Sequence, residues 1–212
     1  MDRGRLEAFS DGVFAVAITL LALNLAVRGP GYGPLAHQLA DQWPAFVAYL
    51  ISFFTIGIIW VNHHALVSNI ATVSRLLLFL NLVLLLFVVM VPFATATVAE
   101  YLAHGGFDAS VAVAVYGIVL EGMSVGFALM LEWSLGEGRT RIAVPRDRRW
   151  AARLRFTLGG LAYLLVIGGA FLNAPAALGF SGLIGLYYIF ERTPAITPAR
   201  PGAVAGTDEL TR

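Results

Sequence analysis

Cysteine is absent from this 212-residue chain, and so is lysine: all fourteen basic residues are arginine. Without cysteine there can be no disulfide, no thiolate nucleophile and no Cys-based metal site. Charge of either sign is scarce, at 13% of residues, about half of the ~25% found in soluble domains. No phosphate-binding glycine loop, Ser/His/Asp arrangement or pair of catalytic carboxylates occurs, so no enzyme class is indicated. No His-x-x-x-His or Glu-x-x-His pair occurs. His63 and His64 are adjacent, about 100° apart on a helix, and cannot readily face one ion. No metal site and no cofactor are therefore expected. No internal repeat marks an inverted-repeat transporter. Asp2, Glu7 and Asp11 interrupt the N-terminal region and no small-residue cleavage site follows, so no secretory signal is expected.

What is present is apolar sequence. Hydrophobic residues make up 58% of the chain and the mean hydropathy is +0.78. A bilayer-spanning helix needs about 20 predominantly apolar residues. Six stretches approach that length, near 8–27, 44–65, 76–99, 109–132, 156–173 and 176–191. The expectation is an all-α integral membrane protein with six transmembrane helices, one domain over 1–192 and a disordered tail over 193–212. The segment 28–43 is Gly/Pro-rich and reads as a loop. Asn173-Ala174-Pro175 joins the last two stretches as a tight hairpin. With the N-terminus in the cytoplasm, thirteen arginines fall inside: Arg3, Arg5 and Arg75, seven between 133 and 155, and three in the tail. Arg28 alone falls outside. This is the positive-inside pattern, and an even helix count places both termini in the cytoplasm. The arginine cluster between 133 and 155 is thus a topology determinant that touches anionic lipid, and no nucleic acid partner is expected.

The first apolar helix has two faces. At 100° per residue, Val16, Leu20, Leu23 and Val27 fall on one stripe. Phe9 and Gly12 extend it toward the cytoplasm and Thr19 flanks it. Ser10 and Asp11 point 120–140° away. A carboxylate at this depth is costly and needs partners. The second helix ends in Trp60-Val61-Asn62-His63-His64, and the third carries Asn81 one to two turns beyond Arg75. All three groups lie at one depth, so a polar network joining these helices is expected.

Arg5-x-x-x-Phe9-Ser10-Asp11-Gly12, running into Ala15-x-x-x-Thr19-Leu20-Leu21, resembles a motif of the TMEM175 family of potassium channels. Trp60-x-Asn62-His63-His64 and Asn81-Leu-x-Leu-Leu-Leu-Phe87 with Pro92-Phe93 resemble two further motifs of that family, in the same order, over roughly residues 1–192. The resemblance implies a homotetramer of six-helix subunits in which helix 1 lines a central pore. It implies a filter of aliphatic rings at Val16, Leu20 and Leu23, with Thr19 adding hydroxyls. Arg5, Phe9, Ser10, Asp11, Trp60, Asn62, His63, His64 and Asn81 would then hold helix 1 against helices 2 and 3, within or between subunits. The implied activity is passive, potassium-over-sodium permeation, with potassium as the permeant rather than a cofactor. The default location for such a chain is the bacterial plasma membrane.

Other signals weigh less. Gly31-Tyr32-Gly33 resembles a carbonyl filter, but Arg28-Gly29-Pro30 precedes it and no pore helix does, so it reads as turn chemistry. Glu121, midway along the fourth stretch, suggests two alternatives. One is a proton- or cation-coupled transporter using Glu121 with the Asp11/His network. The other is a carboxyl bonded to a neighbouring helix with help from Tyr116 or Ser124. Asn24 falls near the outer mouth. Protonation of His63 or His64 offers a route to pH-dependent gating. The glycines of the last two stretches offer faces for close helix packing.

Overall fold

Apolar runs bounded by charge and proline fold here into helices of membrane length. The computed structural model describes residues 2–142 and 146–190. Their helices are α1 Arg3–Leu21, α2 Leu35–Asp41, α3 Trp43–Ser68, α4 Arg75–Tyr101, α5 Gly106–Ser134, α6 Arg146–Ala170 and α7 Ala174–Phe190. Single 3-10 turns extend α1 over Ala22–Asn24 and α4 over Leu102–His104.

Five of these helices, α1, α3, α4, α5 and α6, are long and apolar enough to cross a membrane. The sixth expected span forms α7, which has 17 residues within the described part of the chain, the short end of the crossing range. Helix ends also differ from expectation. α1 begins at Arg3, well before residue 8, and gives way to the 3-10 turn after Leu21, so Val27 lies outside any helix. The 28–43 segment contains α2 as well as its turns. α5 continues to Ser134 and α6 starts at Arg146, leaving 135–145 as the connection where a loop over 133–155 was expected. Arginine is a good helix former, and Arg153 on α6 is held by Glu132 on α5 in a two-pronged ion pair, Nε to Oε2 2.7 Å. The tail over 193–212, with Arg192, lies outside the described residues.

α4 is the organising helix. It packs against α1, α3 and α5, while α6 lies behind α5 and α7 closes against α6 and α3. Its buried positions, Leu77, Asn81, Leu84, Val88, Val91, Thr95 and Val98, recur every three or four residues. Ser74 starts the helix by accepting from the Leu77 amide at 3.1 Å. The α4–α5 seam is close because α5 presents glycine there. A Cβ on Gly126 would lie 2.9 Å from Leu84 Cα, and one on Gly122 would strike the Phe87 ring. In a lipid setting such approach supplies the dispersion contact that an apolar medium does not otherwise provide.

The expected glycine faces on α6 and α7 are realised only in part. Gly159 meets the Tyr188 hydroxyl and Gly182 meets Ile51, whereas Gly168 and Gly179 face no neighbour within 4 Å. On the arginine-rich side, two connections clasp each other: Ala71 N donates to Arg139 O at 2.9 Å and Arg141 N to Asn69 O at 2.8 Å.

Candidate pore-lining face and its polar seam

α1 buries one face and leaves the other open on the surface of the chain. Leu6, Ser10, Phe14, Ala17 and Leu21 are buried against α3 and α4. On the open side lie Gly12, Val16, Thr19, Leu20 and Leu23. Val16 is 57% exposed, Leu20 40% and Leu23 74%. Leu23 sits in the 3-10 turn, so it departs from the regular 100° spacing. The Thr19 hydroxyl donates to Val16 O at 2.8 Å, which ties its hydrogen to the helix and turns its lone pairs outward. Phe9 shares the open side and Arg5 is exposed, with no polar partner for Arg5 among the described residues. Neither takes part in a side-chain hydrogen bond of the seam among the described residues.

The buried face carries a directed chain of hydrogen bonds through three helices. His63 on α3 meets Asn81 Oδ1 on α4 through Nε2 at 2.8 Å. A carbonyl oxygen only accepts, so His63 holds its proton on Nε2. Asn81 Nδ2 donates to Ser10 Oγ on α1 at 3.0 Å, and Ser10 donates to Leu6 O at 2.9 Å. Ser10, His63 and Asn81 are all essentially inaccessible. The Phe14 ring packs on the His63 ring, with centroids 5.4 Å apart.

A second set of contacts runs along the α1–α3 groove as a ladder. Arg3 Nη1 donates to Ser68 O at 2.7 Å, Glu7 Oε1 meets His64 Nδ1 at 2.8 Å, and Trp60 Nε1 donates to Asp11 Oδ1 at 2.9 Å. Each rung steps four residues up α1 and four down α3, one rung per turn of two antiparallel helices. Asn62 bonds back to Ile58 O on its own helix at 2.8 Å. The Arg3 and Glu7 rungs were not anticipated. The fourfold spacing of Arg3, Glu7 and Asp11 against Trp60, His64 and Ser68 is the signal that would have shown them.

A third polar cluster, also unanticipated, lies deeper. Ser52 Oγ is 2.9 Å from the Tyr116 hydroxyl and 2.7 Å from Thr95 Oγ1, and Thr95 donates to Val91 O. The directions are then fixed: Tyr116 donates to Ser52, Ser52 to Thr95, and Thr95 to the backbone. Tyr116 is thus bonded to α3, not to Glu121. Glu121 lines a crevice between α5 and α6, apart from the α1–α3–α4 seam that holds Asp11 and the histidines. Asn24 lies under α4, within 3.5 Å of Pro92 O. Gly31 and Gly33 sit in a turn closed by Gln38, whose Nε2 donates to Gly29 O and Gly33 O. Among the described residues no group of three His, Asp or Glu side chains is arranged to hold a metal ion.

Helices of membrane length, one of them showing an aliphatic stripe outward from a buried polar seam, define an all-α integral membrane protein. Its relatives narrow that class. The family profile described as the endosomal/lysosomal potassium channel TMEM175 matches residues 5–92, the stretch that contains α1 from Arg5 onward, all of α3, and α4 as far as Pro92. A potassium channel of Streptomyces collinus is 47% identical over 203 residues, 92% of this chain and 96% of that protein. A potassium channel of Chamaesiphon minutus is 34% identical over 192 residues, 88% of this chain and 93% of that protein. The crystal structure of a lysosomal potassium-selective channel TMEM175 homolog from Chamaesiphon minutus matches with a TM-score of 0.79 at 33% identity, covering 88% of this chain and 96% of that one. The chain belongs to the TMEM175 family, which is a family of ion channels and not of enzymes.

Proposed function

We propose that this protein is a passive potassium channel in which α1 from each of four identical subunits lines a central pore. The observation that carries the reading is the open side of α1. Val16, Leu20 and Leu23 form a polar-free stripe on a helix whose other face is locked to α3 and α4 by buried hydrogen bonds. Four such stripes around an axis would make stacked aliphatic rings, with Thr19 hydroxyl oxygens beside them. Narrow apolar rings gate by dewetting. They favour potassium over sodium because potassium sheds water at lower cost. The reading needs no cofactor beyond the permeant ion.

In this arrangement α7 completes six crossings as a short last span. Both termini face the cytoplasm of a bacterial plasma membrane, with the arginine-rich α5–α6 connection on the same side. Residues 1–192 form the channel domain. Phe9, on the open side of α1, and Arg5, with no polar partner among the described residues, would meet neighbouring subunits.

The test is ion flux into liposomes holding the purified protein. Potassium flux down its gradient, uncoupled from protons and larger than sodium flux, is expected. Proton-coupled uptake, absence of flux from a folded preparation, or a strictly monomeric mass would each overturn the proposal.

A further inference from the structure

The crevice between α5 and α6 has a volume of about 420 Å³, within the ~300–1,000 Å³ of small-molecule sites. Its walls are mostly aliphatic and aromatic, with Leu129, Phe156, Leu161 and Leu164 among them. At its inner end stands Glu121. Glu121 Oε2 is buried, and no donor among the described residues reaches it. Opposite is Gly160, where even a Cβ would lie 3.1 Å from Glu121 Oε1. The outer rim carries Glu132 and Arg153, which neutralise each other. Glu121 is therefore the one charged group in the crevice without a counter-charge among the described residues, and the hydroxyl-bearing Ser124 and Thr157 are the other polar lining residues.

Depth narrows the occupant. Glu121 lies eleven residues from Glu132 on α5, about 16 Å along the helix at 1.5 Å per residue. The two project within about 20° of each other, so the crevice runs from the membrane interface toward the midplane on one face. A phospholipid headgroup stays at the interface and does not reach Glu121, and an acyl chain reaches it but brings no donor. What the crevice lacks is a cation to meet the Glu121 carboxylate, carried on an apolar body. Only α5 and α6 line the crevice, and α1 contacts neither as a packing neighbour. The site is therefore separate from the α1 face and does not rest on the permeation reading.

We propose that the α5–α6 crevice binds hydrophobic amines, with the ammonium donating to Glu121 and the chain lying against Phe156, Leu161 and Leu164. The probe is dodecylamine, titrated into the full-length protein in detergent micelles and followed by native mass spectrometry, with dodecanol as the chain-matched control. The wild-type protein is expected to bind the amine at least tenfold more tightly than the alcohol. Glu121→Gln is expected to erase that preference. Gly160→Leu, which fills the crevice beside the carboxylate, is expected to weaken binding at least tenfold. The double variant Glu132→Gln/Arg153→Met, which leaves the inner end intact, is expected to stay within about twofold of wild type. Equal binding of amine and alcohol by wild type overturns the proposal without reference to any variant. So does an unchanged amine preference in folded Glu121→Gln.

Discussion

His63 Nε2 lies 2.8 Å from Asn81 Oδ1, and that one contact sets the polarity of the buried seam joining α3, α4 and α1. Because the amide oxygen can only accept, the Asn81 amide nitrogen is turned toward Ser10. Asn81→Leu should leave both His63 Nε2 and Ser10 without their partner. A buried polar group stripped of its partner costs about 1–3 kcal/mol. The expected result is a marked loss of thermal stability in micelles, with His63→Gln milder than His63→Leu because glutamine retains a donor. An Asn81→Leu variant melting with wild type would show that the seam does not stabilise the fold.

Leu20 and Leu21 are adjacent, about 100° apart on α1, yet only one of them is buried. Leu20 is 40% exposed and Leu21 fully buried. Leu21→Ala should cost about 2–5 kcal/mol, the range for a buried leucine. Leu20→Ala, or Leu23→Ala, should change the stability of a single subunit by about 0.5 kcal/mol or less. The same exposed-face variants should raise ion conductance and reduce discrimination between potassium and sodium. Melting and flux measured on one set of variants separate the two faces. If Leu20→Ala and Leu23→Ala alter neither conductance nor selectivity, the stripe is not the filter.

Ser52 accepts from Tyr116 and donates to Thr95 at a depth where water gives no substitute. Ser52→Ala should cost about 1–3 kcal/mol through the stranded Tyr116 hydroxyl. Adding Tyr116→Phe should recover part of that loss, because both partners are then apolar. A double variant less stable than the single one would contradict this assignment.

Gly126 faces the backbone of Leu84, not a flexible side-chain tip. Gly126→Ala should therefore push α5 away from α4, costing about 1–3 kcal/mol as overpacking does. At Gly168, where a Cβ meets nothing within 4 Å, the same substitution should be neutral or slightly stabilising, since alanine favours a helix by up to about 1 kcal/mol over glycine. Thermal unfolding of the two variants side by side checks the contrast.

The Asp11–Trp60 rung is partly open to solvent, Trp60 being 41% exposed. A double-mutant cycle with Asp11→Ala and Trp60→Phe should give a coupling of about 1.5 kcal/mol, the low end for hydrogen bonds to charged groups. Asp11→Asn keeps an acceptor for the indole and should be milder than Asp11→Ala. Additive single effects would dissolve the rung.

Much of this is legible in the sequence. Apolar runs announced the membrane helices, and the stripe Val16–Leu20–Leu23 came from helical periodicity alone. The need for partners around Asp11 and Asn81 followed from the cost of burying polar groups. Helix ends were less legible. Arginines at 146–155 read as loop, yet they lie in α6, where Arg149 donates to Leu135 O and Arg153 pairs with Glu132, contacts to residues distant in the sequence. The regular stripe was also drawn too far: the 3-10 turn after Leu21 takes Val27 off the helix.

Hydrophobicity and periodicity are local properties of the chain, so residue order alone carried the protein's class, the pattern of its helix faces and which residues could not stand unpaired. Only the tertiary structure decided the pairings. Tyr116 was placed beside Glu121 by sequence distance, but α5's rotation against α3 hands its hydroxyl to Ser52 and leaves Glu121 facing the α5–α6 crevice. Partner choice depends on the register and rotation of one helix against the next. Those are set by contacts between residues far apart in the chain, such as Gly126 against Leu84.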